Sequence, residues 1–75
     1  DPEAAAAFVD SVDEGVSRLA RFPESGTVPN DPHLRRQGYR VLVVGSFLVF
    51  YLVRDRGVLV VRVLHGRRQY AFLLE

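Results

Sequence analysis

Apolar and polar positions divide the chain into a helical part and a strand part. In the first part, apolar residues recur at intervals of four, four and three positions, at Phe8, Val12, Val16 and Leu19. This spacing places them on one face of an amphipathic α-helix of about five turns. The opening Asp1-Pro2-Glu3 is typical of a helix start, and Pro23 would end the helix.

From Tyr39 onward the pattern becomes that of β-strands. Three runs of Val, Leu, Phe and Tyr are separated by Gly45-Ser46 and by Asp55-Arg56-Gly57, as in antiparallel hairpins. Residues 23–38 hold three prolines and two glycines and show no sustained period, so they predict a connecting loop, with Leu34 as its anchor. We interpret Asn30, Asp31 and His33 as turn residues beside Pro32 rather than as a polar site.

The first predicted turn fixes a strand register. A two-residue turn with glycine first pairs Val44 with Phe47 and so on outward, which gives two faces. One face carries Arg40, Leu42, Val44, Phe47, Val49 and Tyr51, and the other carries Tyr39, Val41, Val43, Leu48, Phe50 and Leu52. Both faces are apolar. One helix covers one of them, so we expect the second face to meet another helix, another chain or further residues.

The second turn leaves the register open. Asp55-Arg56-Gly57 suits either a three-residue loop or a two-residue Arg56-Gly57 turn. The two registers place Arg62 and His65 on opposite faces, so the sequence does not determine which of them shares the face of Arg40. The last strand is expected from about Val58 to Leu64. The terminal run from Gln69 to Leu74 could form a final strand or a short helical turn.

The predicted fold class is α+β, with the helix packed on a three-stranded antiparallel meander and a fourth strand as the alternative. A chain of 75 residues makes one domain with a thin stability margin. There is no cysteine, and no apolar run approaches the ~20 residues that span a bilayer. We expect a cytosolic globular domain without cofactor or metal.

Charge is divided between the two parts of the chain. Residues 1–31 carry seven acids and two arginines, net −5, whereas residues 32–75 carry eight arginines and two acids, net +6. The basic part could contact nucleic-acid phosphates or could dock an acidic protein segment that adds a strand or lays a helix on apolar surface. A nonspecific nucleic-acid binder is less favoured, because the net charge of the whole chain is only +1.

Five segments, in their order and spacing, resemble the RelE/ParE family of toxins from bacterial type II toxin-antitoxin systems. They are Asp1–Ala5, Leu19–Gly26, Leu34–Arg40, Val44–Tyr51 and Val61–Arg68. The resemblance implies a single toxin domain over residues 1–75. The family pattern has an N-terminal strand and a first helix ahead of the helix found here, so we expect the chain to be N-terminally truncated.

The resemblance also implies a function in the bacterial cytoplasm: growth arrest by a toxin that a cognate antitoxin neutralises in a hetero-oligomer. Relatives act either as ribosome-dependent mRNA endoribonucleases, which need no metal, or as inhibitors of DNA gyrase. RelE-like proteins carry cations where this chain has Val41–Val44 and Leu48, so we favour gyrase inhibition, with the ribonuclease as the alternative. A non-toxic protein-interaction module is the second alternative.

Candidate site residues follow from these alternatives. RNA cleavage needs proton transfer and cations at the phosphate, which on the ribonuclease hypothesis assigns catalysis to His65, Arg68 and Tyr70. Predicted phosphate-binding or target-binding residues are Arg40, Arg62 and Arg67. Predicted antitoxin-binding residues are Leu42, Phe47, Val49 and Tyr51. The alternative for His65 is a strand-end histidine bonded to backbone, and for Tyr39, Phe50 and Tyr51 it is core packing.

Overall fold

A computed structural model describes the backbone of residues 2–74 and the side chains of Asp10 and residues 13–74. The elements in chain order are α1 (Pro2–Arg21), α2 (Pro32–Arg36), β1 (Tyr39–Val44), β2 (Phe47–Arg54), β3 (Gly57–His65) and a 3-10 helix (Arg67–Leu74). The α+β class with a three-stranded antiparallel meander is confirmed. The predicted roles of Asp1, Phe8 and Val12 lie outside the described residues.

Helix α1 has 20 residues and ends two positions before Pro23, as predicted. Of the predicted apolar stripe, Leu19 is fully buried and Val16 is half-buried. Arg18 and Arg21 lie in the last turn, where cations interact favourably with the negative end of the helix dipole. The described part of the stripe therefore faces the protein interior.

The first hairpin has the predicted register. Every expected pair between β1 and β2 is present, from Val44 with Phe47 to Tyr39 with Leu52. Gly45 has a φ of 57°, in the left-handed region, and Ser46 follows with a negative φ. This combination needs glycine at the first turn position and matches the right-handed twist of the two strands.

The second hairpin corrects both predicted registers. Arg54 pairs with Gly57, so Asp55 and Arg56 form the turn and the strand begins one residue earlier than expected. The reason is the backbone freedom of Gly57, whose φ of 138° allows pairing to resume directly after the turn.

A β-bulge then shifts the pairing within β3. Phe50 pairs with Arg62 and Tyr51 with Val60, which leaves Val61 as the extra residue. As a result His65 pairs with Phe47 and shares the face of Arg40, whereas Arg62 lies on the opposite face.

Helix α1 packs on the sheet face that carries Leu42 and Val44. At Gly15 the two layers approach so closely that an added Cβ would lie 2.8 Å from Val44 Cγ2 and 3.1 Å from Leu42 Cδ2. On the same face of β2, Val49 and Tyr51 are fully buried. Gly15 thus lets the helix lie close enough to enclose the middle strand.

The chain itself covers the central part of the opposite sheet face. Val41, Leu48 and Phe50 form a buried cluster with Leu73 of the 3-10 helix. Leu34 of α2 packs against this cluster, which confirms its predicted role as an anchor. Residues 67–74 are helical, so the predicted alternative of a fourth strand is wrong. The sequence analysis expected another helix, another chain or further residues on this face. The structure shows helical segments of the same chain there.

The connecting segment is more ordered than its composition predicts. It contains the five-residue helix α2, which begins where Asp31 Oδ1 accepts a 3.0 Å hydrogen bond from the Leu34 N–H. Asp31 is therefore an N-cap, in line with its interpretation as a turn residue. Earlier in the segment, Thr27 and Val41 exchange two backbone hydrogen bonds of 2.8 Å, which closes part of the outer edge of β1.

Candidate functional site

Three of the predicted site residues line one polar cleft at an end of the sheet, which we call the turn cleft. It has a volume of about 510 Å³ and lies between the β1–β2 turn and the chain that leaves β3. Its lining residues are Gly45, Ser46, His65, Gly66, Arg67, Arg68 and Gln69. The predicted residues His65, Arg67 and Arg68 are thus neighbours in space.

Backbone hydrogen bonds fix the two walls of the turn cleft. The Ser46 carbonyl accepts from the N–H of Gly66 at 3.0 Å and from the N–H of Arg67 at 3.1 Å. Gly66 has a φ of 101°, and a Cβ there would lie 3.0 Å from Gln69 Oε1. The sharp bend after β3 therefore requires glycine, and it sets the direction in which the two arginines leave the sheet.

The turn cleft is positively charged. Arg67 and Arg68 are exposed, and none of the lining residues is acidic. Within residues 13–74, neither arginine has an ion-pair partner. The His65 ring is exposed and lies 4.8 Å from the Phe47 ring between centroids, tilted by 44°. Such a set of donors favours an anionic ligand.

Arg62 and Tyr70 lie elsewhere, in a second depression that we call the apolar groove. It has a volume of about 440 Å³ and runs between α2, β3 and the 3-10 helix. Most of its lining is apolar and includes Leu34, Phe50, Val61 and Phe72. The three residues assigned to catalysis are therefore divided, with His65 and Arg68 in the turn cleft and Tyr70 in the apolar groove.

Arg40 has a structural contact that its assignment to phosphate or target binding did not include. Its Nη1 donates hydrogen bonds to the carbonyls of Glu24 at 3.1 Å and Gly26 at 2.9 Å. The side chain is half-buried and holds the connecting segment against the sheet. Arg40 is absent from the lining of the turn cleft and of the apolar groove.

The four residues assigned to antitoxin binding differ in accessibility. Val49 and Tyr51 are fully buried, whereas Leu42 and Phe47 are half-buried. The Tyr51 hydroxyl donates to the Pro23 carbonyl at 2.7 Å and accepts from the Gly26 N–H at 3.0 Å. Core packing is thus the observed role of Tyr51 and of Phe50, which is 7% exposed.

Several exposed apolar side chains were not singled out from the sequence. Leu59 is 50% exposed and Val61 46% exposed on β3, and Phe72 is 58% exposed at the apolar groove. At the end of α1, Phe22 is 60% exposed and lies under the Arg21 guanidinium, 5.7 Å from the ring centroid. Phe22 could have been found from its position just outside the helical stripe. The exposure of Val61 depends on a bulge that has no evident sequence signal.

Two further properties concern the described part of the chain. Residues 2–74 contain no helix with the length and apolarity needed to cross a membrane. The described side chains, those of Asp10 and residues 13–74, include no group of three or more His, Asp or Glu arranged to hold a metal ion.

The arrangement defines a class of protein. A helix on a three-stranded antiparallel meander, with arginines on the bend after the last strand, is a small α+β domain of the RelE/ParE type. A family model described as the ParE toxin of type II toxin-antitoxin systems matches residues 1–70, so the chain belongs to this toxin family. Membership implies a cognate antitoxin as partner. Comparisons with curated proteins and with solved structures found no match.

Proposed function

We propose that this toxin arrests growth by inhibiting DNA gyrase in the bacterial cytoplasm, as part of a hetero-oligomeric system with its antitoxin. The observation that supports gyrase inhibition is the separation of the residues that RNA cleavage would need. His65 and Arg68 line the turn cleft, Tyr70 lines the apolar groove, and Arg40 contacts the connecting segment.

This separation matters because metal-free RNA cleavage depends on geometry. A general base must reach the 2′-hydroxyl within about 3 Å while an acid reaches the leaving oxygen on the other side of the phosphate. By strand register, His65 belongs to the sheet face of Phe47, whereas Tyr70 packs against the cluster on the opposite face. Inhibition of a protein target requires only a complementary surface.

The ribonuclease remains the alternative, and one specific observation favours it. His65, Arg67 and Arg68 line the same cleft without an acidic neighbour in its lining. On this alternative, His65 would transfer the proton and the two arginines would stabilise the negative charge of the phosphate in the transition state. Tyr70 would then act only after a change in the position of the 3-10 helix.

We further propose that an acidic segment of the antitoxin contacts Leu42 and Phe47. Phe47 lies against His65 at the turn cleft, so a partner seated there would also reach Arg67 and Arg68. Opposite charge would speed the encounter, and the half-buried apolar side chains would supply contact area. Val49 and Tyr51 would contribute through packing beneath this surface. The same partner would block access of the target to the cleft.

The deciding experiment measures both target activities with the same preparation. The purified chain is incubated with gyrase and supercoilable plasmid, and separately with translating ribosomes. We expect loss of supercoiling with gyrase-dependent DNA breaks, and intact mRNA. Cuts at the ribosomal A site that disappear in His65→Ala or Arg68→Ala would overturn the gyrase proposal in favour of the ribonuclease.

A further inference from the structure

The apolar groove lies in a region of exposed apolar surface on the sheet face opposite α1. Phe72 and Val61 line the groove, and both side chains are exposed. Leu59, two positions before Val61 on β3, is exposed as well, and its pairing with Leu52 places it on the same sheet face. Exposed apolar side chains gathered on one surface mark a place where another molecule packs.

The exposed area of the chain is larger than that of a monomeric protein of its mass. The chain exposes 5444 Å², whereas monomeric proteins of 8.5 kDa expose about 4,700 Å². The excess of about 700 Å² is close to the ~800 Å² that each partner buries in an interface of standard size. The chain is also flat, with extents of 38 × 30 × 16 Å, so one broad side can bury that area in a single contact.

Two opposite charges make the groove complementary to a copy of itself. Asp31 and Arg62 both line it, and within residues 13–74 neither has an ion-pair partner. One carboxylate oxygen of Asp31 caps α2, which leaves the second oxygen available. In a pair related by a two-fold axis, each copy meets the same surface that it offers. Arg62 of each copy can then face Asp31 of the other, and a net charge of +1 adds little repulsion.

We propose that the apolar groove is the interface of a two-fold symmetric homodimer, in which Phe72 of each copy enters the groove of the other. The groove volume of about 440 Å³ accommodates a phenyl ring against a mostly apolar lining. This aromatic anchor would supply most of the binding energy, and the contacts between Arg62 and Asp31 would fix the orientation of the two copies. Leu42 and Phe47, which we propose for antitoxin binding, lie on the other sheet face and stay accessible in the dimer.

The test measures the mass of the full 75-residue chain by sedimentation equilibrium. One chain has a mass of 8.5 kDa, so the dimer has twice that value, about 17 kDa. We expect the dimer mass at a chain concentration of about 100 μM, because interfaces of standard size bind with micromolar affinity or tighter. The substitution Phe72→Ser should weaken dimerisation by about thirtyfold or more, which is the effect of truncating an aromatic anchor.

The matched control is Phe22→Ser. Phe22 is 60% exposed, against 58% for Phe72, but it follows α1 and lies outside the lining of the groove. Dimerisation should be unchanged in this control. An equal weakening in the two variants, a dimer that persists in Phe72→Ser, or a monomer mass up to about 100 μM overturns the proposal.

A second pair of variants tests the charged contacts without altering Phe72. Arg62→Gln and Asp31→Asn each remove one charge, and asparagine keeps the cap of α2. Each change should weaken dimerisation by about twofold or more, because the symmetry removes two contacts at once. The combined variant should lose less than the product of the two single effects. Single effects that multiply in the combined variant, or no effect of either change, would contradict this arrangement of the two copies.

Hydrogen exchange distinguishes a second copy from the antitoxin as the occupant of the groove. Protection of the 3-10 helix in the free chain that rises with concentration and is lost in Phe72→Ser supports the homodimer. Protection that appears only in the complex with the antitoxin assigns the groove to the antitoxin and overturns the proposal. These measurements need no gyrase, so their outcome is independent of the proposed function. Circular dichroism confirms that each variant is folded before it is used.

Discussion

The substitution Tyr51→Phe should lower the free energy of unfolding far more than the removal of a hydroxyl group from a surface residue would. The Tyr51 hydroxyl makes two hydrogen bonds to the connecting segment, donating to Pro23 and accepting from Gly26, and the tyrosine is fully buried. Phenylalanine keeps the ring packing but leaves a buried N–H and a half-buried carbonyl without this partner. The connecting segment would lose one of the contacts that hold it on the sheet, while those of Arg40 and Thr27 remain.

The size of the effect follows from these two contacts. A buried donor left without a partner costs about 1–3 kcal/mol, and the half-buried carbonyl adds about 0.5 kcal/mol because water can replace its donor. We therefore expect a loss of about 2 kcal/mol. A chain of this length has a total stability of about 4–11 kcal/mol, so the loss is a large fraction of it. The melting temperature should fall by about 8–16 °C.

Urea unfolding followed by circular dichroism measures this loss directly. The midpoint should decrease while the slope of free energy against urea stays the same. Tyr39→Phe is the matched control, because among the described residues the Tyr39 hydroxyl has no hydrogen-bond partner and should contribute less than about 0.5 kcal/mol. A loss below about 0.5 kcal/mol in Tyr51→Phe, or equal losses in both variants, would refute the reasoning.

Three other substitutions test the packing of the helices. Gly15→Ala should destabilise the protein by about 1–2 kcal/mol, although alanine has the better helix propensity, because the added Cβ meets Val44 Cγ2. A double-mutant cycle with Val44→Ala that shows no coupling would contradict this reason. Asp31→Ala should cost about 1 kcal/mol in thermal unfolding by removing the α2 cap, and an equal loss in Asp31→Asn would argue against capping. Leu73→Ala should cost about 2–4 kcal/mol in urea unfolding and increase binding of a hydrophobic dye; an unchanged midpoint would show that the 3-10 helix is dispensable.

Local chemistry made the first hairpin predictable from the sequence. Gly45-Ser46 permits one favoured two-residue turn, and that turn fixes each pair along β1 and β2. Helix α1 was equally predictable, because its apolar spacing and Pro23 are signals within one segment of the chain. Predictions of this kind depend on residues that are neighbours along the chain.

The features that the sequence left open or did not reveal depend on contacts between distant segments. The bulge at Val61 changes the face of the residues that follow it, and the sequence around Val61 is compatible with continuous pairing. The 3-10 helix covers a sheet face through Leu73, which lies 23 positions or more from the cluster residues Val41 and Phe50. The roles of Arg40 and Tyr51 likewise depend on the packing of residues 23–26 against the sheet. Arg40 was assigned to phosphate or target binding from the sequence, whereas in the structure it donates hydrogen bonds to backbone carbonyls of that segment.

The backbone pairing of Thr27 with Val41 limits how copies of this protein can associate under crowded conditions. Open β-strands recruit strands from other molecules, and growth into a fibre requires a free margin on both sides of each molecule. Here one margin of the sheet is obstructed at its midpoint, and among residues 2–74 the opposite margin, along β3, has no neighbour. Joining two copies through their β3 margins would occupy the edge that is open among residues 2–74, and the Thr27 bridge would hinder further growth along β1.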